Sequence, residues 1–493
     1  MAFGGQAGMN KKSEKFLSLK DILQVENDQR ILDVRCTQTG IPLWTMIRVP
    51  FIRMIMSDML YGTPLNGYGA IGSKFNAATS LSKALLHNIR FGKDSKKADI
   101  LLMSHGLGNQ LKDGLWFNRL GDHFALAHSN QTLLVEDFFK WQWPFPRHNQ
   151  NILLHAPTQA FAAFAGKISS GRKHREQAHH LVSIIQDNAR QLLGWELGAK
   201  RFDWLVTSLA RKSAAIPWLY AHYQRLLTQV HPKILIKEEA CYGPSSVLIR
   251  AARDLGIHTA EYQHGSVSAG HDAYNFADLI CKDDEYRKTL PDYFLSYGRW
   301  WGGQINAPIK KVDIGNPHRT ARLEEYCDYQ QQERIDILIL GDGIETDLYI
   351  RLAQQLADTV DERFQVVFRP HPIEKNAVLE RFPEGRIDKI RIDLNSDIYQ
   401  SFFSAHAVVS ELSTGLFEAV GLVGNIFIWD TAKARFCYPQ HPFSTFSDSN
   451  DLVSQLSGRA QKYIKAVQES DIWQPDWRKN YDGFLAGLGI HAN

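Results

Sequence analysis

Residues 365–372 read QVVFRPHP and residues 407–421 read AVVSELSTGLFEAVG, and these two stretches decide the fold of the carboxyl-terminal part of the chain. The first is an apolar run that closes in a basic turn with a rigid proline, His371-Pro372, the pattern of a buried strand and its end. The second is a strand that breaks at Ser413-Thr414-Gly415 and restarts as a helix. Such a break presents backbone N–H groups and hydroxyls, which suit an anionic phosphate. Arg369 and His371 at the tip of a neighbouring strand would add charge-assisted donors to the same anion.

The alternation continues on both sides of these stretches. From Ile335 the sequence gives strand IDILIL, helix Asp347–Ala357, strand QVVFRP, strand KIRID, helix Asp397–Ala405, strand AVVS, helix Gly415–Val420 and strand NIFIWD. An earlier series starts at Ala98–Ser104 (ADILLMS), with short apolar runs at Gln131–Glu136, Trp204–Leu209 and Lys233–Lys237. A long helix is predicted over Arg172–Leu193, then a helix over Ser245–Asp254 and strands at His258–Gln263, Tyr293–Ser296 and Lys311–Ile314. Strands alternating with helices imply parallel sheets joined by right-handed crossovers. The alternation restarts after Gly315-Asn316-Pro317, so the chain reads as α/β with two Rossmann-like domains facing each other. The expected divisions are a disordered or tag segment, 1–16; a first domain, 17–315; a second, 316–470; and a carboxyl-terminal helical piece, 471–493, packing back on the first domain.

At 493 residues and 44% hydrophobic content the chain can fill two cores. A net charge of +3 supplies no global field for nucleic acid. The five cysteines stand at no metal-ligand or CxxC spacing, which fits free thiols in a reducing compartment. No signal peptide and no run of about 18 apolar residues is found, so a cytoplasmic protein is expected. Gly106-Leu-Gly108 and Gly341-Asp342-Gly343 do not follow the dinucleotide spacing, and neither a GxxxxGK loop nor a GxSxG elbow occurs.

In open parallel sheets ligands bind beyond the carboxyl ends of the strands. In the second domain this rule singles out Arg369, His371, Ser410, Ser413 and Thr414 for a nucleotide phosphate, and Glu418 for the ribose hydroxyls. In the first it singles out Glu261-Tyr-Gln263-His264-Gly265, where a neutral His264 could take a proton from an attacking hydroxyl. Glu239 and Asp113 are the alternative bases. His105, Lys112, Trp116, Arg119, His271 and Tyr274 are expected around an acceptor. Zinc held by His264 and His271 lacks a third ligand at a recognisable spacing, so no metal and no cofactor are expected.

The order and spacing of SHGLGNQLKDGLWFNR, IKEEACYGPSSVLIRAARDLGIHTAEYQHG, YFLSYGRWW, IGNP, FRPHP and SELSTGLFEAVG resemble bacterial surface-polysaccharide glycosyltransferases of the GT-B type. Capsule and O-antigen enzymes that use CMP-activated acidic sugars are the nearest in kind, and the pieces span about residues 98–425. The HP and Ser/Thr motifs are shared with bacterial polysialyltransferases and are similar to those of teichoic-acid glycerophosphotransferases. In those families the HP histidine and the Ser/Thr motif bind the nucleotide phosphate, which implies His371, Ser413 and Thr414. The glycerophosphotransferases carry a catalytic histidine before a glycine, which implies His264. The paired-acid-glycine base motif of the polysialyltransferases is matched only in part, by Gly341-Asp342-Gly343, and in the other domain.

The resemblance implies transfer of a sialic-acid-like or Kdo-like sugar from a CMP-linked donor to a glycan or lipid-linked glycan. The expected course is single displacement with inversion and no metal. It implies no nucleic-acid partner, and a peripheral contact with the inner face of the cell membrane or an export complex. A CDP-alcohol glycerophosphotransferase and a non-catalytic GT-B-like assembly protein are the alternatives. Donor sugar and base, linkage, stereochemistry and oligomeric state are not written in these motifs.

Overall fold

A computed structural model describes residues 17–63, 74–92, 97–327, 333–458 and 467–491; the expected disordered or tag segment, 1–16, lies outside them. The chain enters its first sheet at β1 (Ile100–His105) and leaves it for an antiparallel hairpin, β2 (Asn109–Lys112) and β3 (Leu115–Asn118). It returns at β4 (Thr132–Asp137), β5 (Ile152–Leu154), β6 (Ile234–Lys237), β7 (His258–Tyr262), β8 (Tyr293–Ser296) and β9 (Lys310–Asp313). The strand order is β5-β4-β1-β6-β7-β8-β9, parallel throughout.

The second sheet holds β10 (Asp336–Leu340), β11 (Gln365–Arg369), β12 (Arg386–Ile387), β13 (Ile390–Ile392), β14 (Ala405–Ser410), β15 (Asn425–Trp429) and β16 (Ser444–Phe446). Its order is β12-β13-β11-β10-β14-β15-β16, antiparallel only at β12–β13. Central strands such as β10 are buried along their whole length, because helices cover both faces, and this is why they read as unbroken apolar runs. Two parallel-sheet domains meeting across a cleft are the GT-B arrangement.

Three local expectations are corrected. Trp204–Leu209 is not a strand but part of the 32-residue helix Ala199–Val230. Leu205 and Leu209 are buried one turn apart while Thr207 between them is exposed, which is helical and not strand periodicity. The strands carrying His371 and Ser410 are not adjacent, since β10 runs between β11 and β14. The carboxyl-terminal helical piece expected over 471–493 is not one helix: Glu469–Ile472 and Trp477–Ala486 are separated by Pro475 and by Asp476 at φ 57°. The latter helix buries Tyr481 and Leu485 against the first sheet, with the Tyr481 ring 4.9 Å from that of Phe124.

The two sheets are pinned by aromatic packing. Phe417, just past the Ser/Thr break of the second domain, stacks against Trp300 and Trp301 of the first at ring distances of 4.9 and 4.5 Å. Its backbone carbonyl accepts the Trp473 indole N–H at 3.0 Å. Glycine permits a second close approach: a Cβ on Gly270 would lie 2.3 Å from the Phe436 carbonyl oxygen. At the amino terminus, buried Arg48 pairs with Glu26 at 2.6 Å and donates to the Asp272 and Asn275 carbonyls. That clamp holds the loop after β7.

Behind the hairpin, fully buried Arg147 spans Asp122 and Glu136, each at 3.0 Å. Burial pushes the Asp122 carboxyl up to about 6 against the pull of the guanidinium. Arg147→Met strands two buried carboxylates together, and we expect it to destabilise the folded chain by about 3–5 kcal/mol at neutral pH. The shift of the denaturant midpoint measures this, and an unchanged midpoint contradicts the arrangement.

Candidate functional site

The neighbouring strands β1, β6 and β7 end together. Just past β6, the buried Glu238 carboxylate accepts the His105 backbone N–H and the Tyr262 hydroxyl, both at 2.8 Å, and so ties the three strand ends to one another. Burial pushes Glu238 up to about 7. The next residue, Glu239, takes a left-handed φ of 57° that turns its half-exposed carboxylate to within 3.9 Å of His264 Nε2. On the opposite side of the imidazole, Nδ1 lies 3.4 Å from the Tyr274 hydroxyl and 3.9 Å from Glu261 Oε1.

Tyr274 donates to Glu261, which also accepts the Cys241 backbone N–H at 2.8 Å. A proton on His264 Nδ1 can therefore bond to the Tyr274 oxygen, leaving the Nε2 lone pair toward the cleft. Burial lowers the His264 pKa, with the Glu239 charge opposing, so the ring is neutral at neutral pH. The same burial lowers His271 to about 4. His271 packs against the Tyr274 ring at 4.8 Å, and its neighbour Asp272 is held by Arg53 at 3.1 Å.

The remaining first-domain residues separate by position. His105 ends β1, and its Nδ1 accepts the Leu107 N–H. Trp116 is half-buried in β3, while Lys112 and Arg119 are exposed. Asp113 falls outside the His264 cluster. It stands exposed at the tip of the β2–β3 hairpin with φ 52°, followed by Gly114 at φ 75°. This is the Asp-Gly pair that a tight hairpin requires, and turn geometry accounts for it.

In the second domain, loops from three strand ends converge. The His371 ring lies against Gly343 in the loop after β10, where a Cβ would come within 2.9 Å of Nδ1. Burial lowers the His371 pKa and nearby Asp342 opposes. Ser410 is fully buried, donates to the Leu340 carbonyl at 2.8 Å and accepts the Ser413 N–H. It is a tie between β14 and β10, which corrects its expected place at the phosphate.

Ser413 and Thr414 are half-buried, and the Ser413 hydroxyl accepts the Gly415 N–H at 3.2 Å. The helix that follows is the single turn Gly415–Glu418, so hydroxyls and loop N–H groups, not a macrodipole, are what an anion meets there. Arg369 is already engaged by Asp393 at 2.6 Å, by Ser401 and by the Asn395 carbonyl. Asp342, Glu345 and Glu411 bring carboxylate oxygens within 4.8 Å of one another. Lys433 pairs with Glu345 and, at 3.3 Å, with Glu411, so a lysine supplies the cation for that cluster.

The two halves are joined at the loops that matter. Ser266, two residues past His264, hydrogen-bonds the Tyr438 hydroxyl at 2.7 Å, and Tyr438 donates to the carbonyl of Leu412, next to Ser413, at 3.1 Å. Arg119 faces the same cleft electrostatically: its charge opposes the burial-driven rise of Glu418 and adds to the lowering of His371 and His318. His318 and His123, whose rings lie 6.2 Å apart, are held down to about 3 and about 4 by burial and by Lys112 and Arg322. Lys112 and Arg119 carry the positive charge on this side, and the two imidazoles they act on are neutral at neutral pH.

Sequence reasoning placed Glu238 and Glu261 at strand ends without their tying roles, and gave no role to Arg53, Tyr438 or Lys433. An acid one residue before the end of the buried strand HTAEY was a legible signal for Glu261. Nothing local marks Arg53 or Tyr438, which reach the site from distant elements.

No family model matches the chain, and no curated protein matches it significantly. Solved structures do superpose. A UDP-GlcNAc 2-epimerase from Methanocaldococcus jannaschii in complex with UDP-GlcNAc and UDP is 10% identical, covering 79% of this chain and 99% of its own, with a TM-score of 0.41. An α,α-trehalose-phosphate synthase (UDP-forming) from Burkholderia xenovorans is 9% identical over 80% and 100%, at 0.38. The wall teichoic acid polymerase TagF is 10% identical over 84% and 93%, at 0.37. At identities of 9–10% and TM-scores of 0.37–0.41 these likenesses carry no residue assignments.

Glu261 is pushed from its ordinary 4.5 up to about 7 by burial, ahead of the bonds from Tyr274 and Cys241 that pull it down. The folded chain thus keeps this proton longer than the unfolded chain. The associated stability is full below about 4.5 and is lost as pH rises through about 7. Glu261→Gln should therefore lose less melting temperature than the wild type between pH 5 and pH 8. Identical pH slopes in a thermal melt would show that Glu261 is not the neutral, buried acid described.

Proposed function

We propose that the protein is a nucleotide-sugar-dependent glycosyltransferase that moves an acidic sugar from a CMP-linked donor to a hydroxyl of a bacterial surface glycan. The observation that carries this reading is the Ser266–Tyr438–Leu412 junction, which brings the His264 loop of one sheet against the Ser413 loop of the other. A base and a phosphate cradle on opposite walls of one cleft are what a single displacement needs. The acidic character of the sugar is supported by Lys112 and Arg119, whose charges act on the neutral His123 and His318 and, from Arg119, on Glu418 and His371.

In this reading the acceptor oxygen attacks the anomeric carbon and its proton passes to His264 Nε2. The bond from that carbon to the donor phosphate oxygen breaks, with inversion. Tyr274 and Glu261 hold the imidazole through Nδ1. Glu239, beside Nε2, favours the imidazolium as it forms. His371, Ser413 and Thr414 donate to the departing phosphate, Glu418 takes the ribose hydroxyls, and Arg369 acts through Asp393 and Ser401 as a support of the β11 end. The charge relief comes from hydrogen bonds, without a metal. His105, Lys112, Trp116, Arg119 and His271 line the acceptor side. Domain limits of 17–315 and 316–470, with 471–493 returning to the first domain, belong to the same proposal, as does action in the cytoplasm.

His264-Gly265 also favours a second reading, a CDP-alcohol phosphotransferase in which the same histidine serves the attacking hydroxyl. Incubation with a CMP-sialic-acid-type donor, UDP-sugars and CDP-glycerol separates the two by which nucleotide is released. Release from CDP-glycerol alone would replace the first reading with the second. Stabilisation by none of CMP, CDP, UDP or GDP in a thermal shift scan would remove both and leave an assembly protein.

With the accepted donor, His264→Ala should lower kcat by roughly 10²–10⁴-fold with donor affinity nearly unchanged. A wild-type rate would move the base to Glu239. His371→Ala should cost about 2.7–4 kcal/mol of transition-state stabilisation, and Ser413→Ala and Glu418→Ala should weaken nucleotide binding in calorimetry. Unchanged affinity in both of the latter would take the Ser/Thr loop out of the donor site.

A further inference from the structure

We infer that the helices Lys74–Gly92 and Ala156–Ser169 form a docking face for a bilayer containing anionic phospholipid. Apolar residues on Ala156–Ser169 sit at i, i+3 and i+7, which is one face of a helix. They are Phe161, Phe164 and Ile168, and they point outward, the last two 63% and 66% exposed. Trp218 of the neighbouring helix Ala199–Val230 is half exposed and meets Phe161 edge-on at 6.4 Å. Beside Ala156–Ser169 packs Lys74–Gly92, with Leu85, Leu86 and Ile89 exposed. An apolar groove of about 550 Å³, walled by Ala163, Gly166, Trp204, Ala215 and Leu219, opens between Ala156–Ser169 and Ala199–Val230. An exposed apolar face of this extent is unusual for a free monomer surface.

The charge on this face selects the partner. Residues 74–92 and 156–175 contain no Asp or Glu. Exposed around the apolar side chains are Lys83, Arg90, Lys167, Arg172, Lys173 and Arg175. That is a concentration of positive charge greater than the +3 of the whole chain. Glu176, which pairs with Arg172 at 2.6 Å, follows at the rim; aromatic and aliphatic side chains flanked by an excess of Lys and Arg are the composition of an interfacial helix on an anionic membrane. No described helix is long and apolar enough to cross a membrane, so the contact lies in the interface plane. Ala156–Ser169 begins one residue after His155, whose ring pairs with Asp137 at the carboxyl end of β4 at 2.5 Å. The face therefore starts at the sheet edge where the proposed acceptor wall lies. Only its corollary, that the acceptor is lipid-linked, rests on the transferase reading.

The test is sedimentation of the full chain with vesicles of phosphatidylcholine, with and without phosphatidylglycerol. We expect binding that requires phosphatidylglycerol and weakens with salt, and a loss of about tenfold or more in partitioning for Phe164→Glu with Ile168→Glu. Arg172→Glu with Lys173→Glu should lose binding to the anionic vesicles through charge alone. These residues are exposed, so both variants should keep the wild-type melting temperature. Because no turnover is measured, failure here is distinguishable from failure of the transferase reading. Equal partitioning of wild type and both variants overturns the inference. So does a lipid-free dimer in light scattering that Phe164→Glu dissociates, because a second copy would then cover the face.

Discussion

The packing of Phe417 between Trp300, Trp301, Tyr438 and Phe443 is the contact on which the rest of the site depends. Aromatic pairs at these distances add about 0.5–1.5 kcal/mol each beyond the area they bury. Phe417 is three residues past Thr414, so fixing its ring fixes the Ser413–Thr414 loop, the proposed phosphate cradle. The Trp473 indole on the Phe417 carbonyl extends this control to the chain's return to the first domain. A hinge between sheets could have left the two walls free to drift. Here the second domain's Ser/Thr loop is seated directly on first-domain tryptophans through Phe417, and relative motion must move the loop as well.

The electrostatics at the strand ends follow from where the acids are buried. Glu238, Glu261 and Glu411 each sit at or just past a strand end, and burial raises each to about 7. Ordinary surface acids would be fully ionised there and would pull protons onto the neighbouring histidines. Buried acids near neutrality do so far less, and they still accept hydrogen bonds that order the loops. That is consistent with His264 and His371 both being lowered, not raised, although each has a carboxylate nearby. A neutral His264 can take a proton; a neutral His371 can donate one N–H without contributing a full charge.

The fold was legible because central parallel strands betray themselves as apolar runs, and IDILIL, QVVF and AVVS fall on β10, β11 and β14. Trp204–Leu209 misled because six residues cannot separate period 2 from period 3.6 when a tryptophan happens to face outward. The order of strands was not legible: nothing in QVVFRPHP or SELSTG says that β10 lies between them. Within the site, the residues that protrude from strand ends could be found by motif. Their supports could not, because Arg53, Tyr438 and Lys433 owe their positions to packing between distant elements. Asp113, offered as an alternative base, stands exposed at the hairpin tip, a place that Asp-Gly alone was sufficient to signal.

Glu239 is the residue whose local geometry is hardest to explain without a ligand-facing role. A glutamate at φ 57° pays conformational strain that glycine or asparagine would largely avoid. In return its carboxylate is lifted out of the strand end, where Glu238 has turned inward to tie β1 and β7, and stands half-exposed near His264 Nε2. Two successive glutamates thus face opposite ways, one closing the sheet edge and the other opening toward the cleft. The strained glutamate stands 3.9 Å from His264 Nε2, so a proton taken up on that nitrogen would be met by its carboxylate, which is the property the proposed role of His264 as a base draws on.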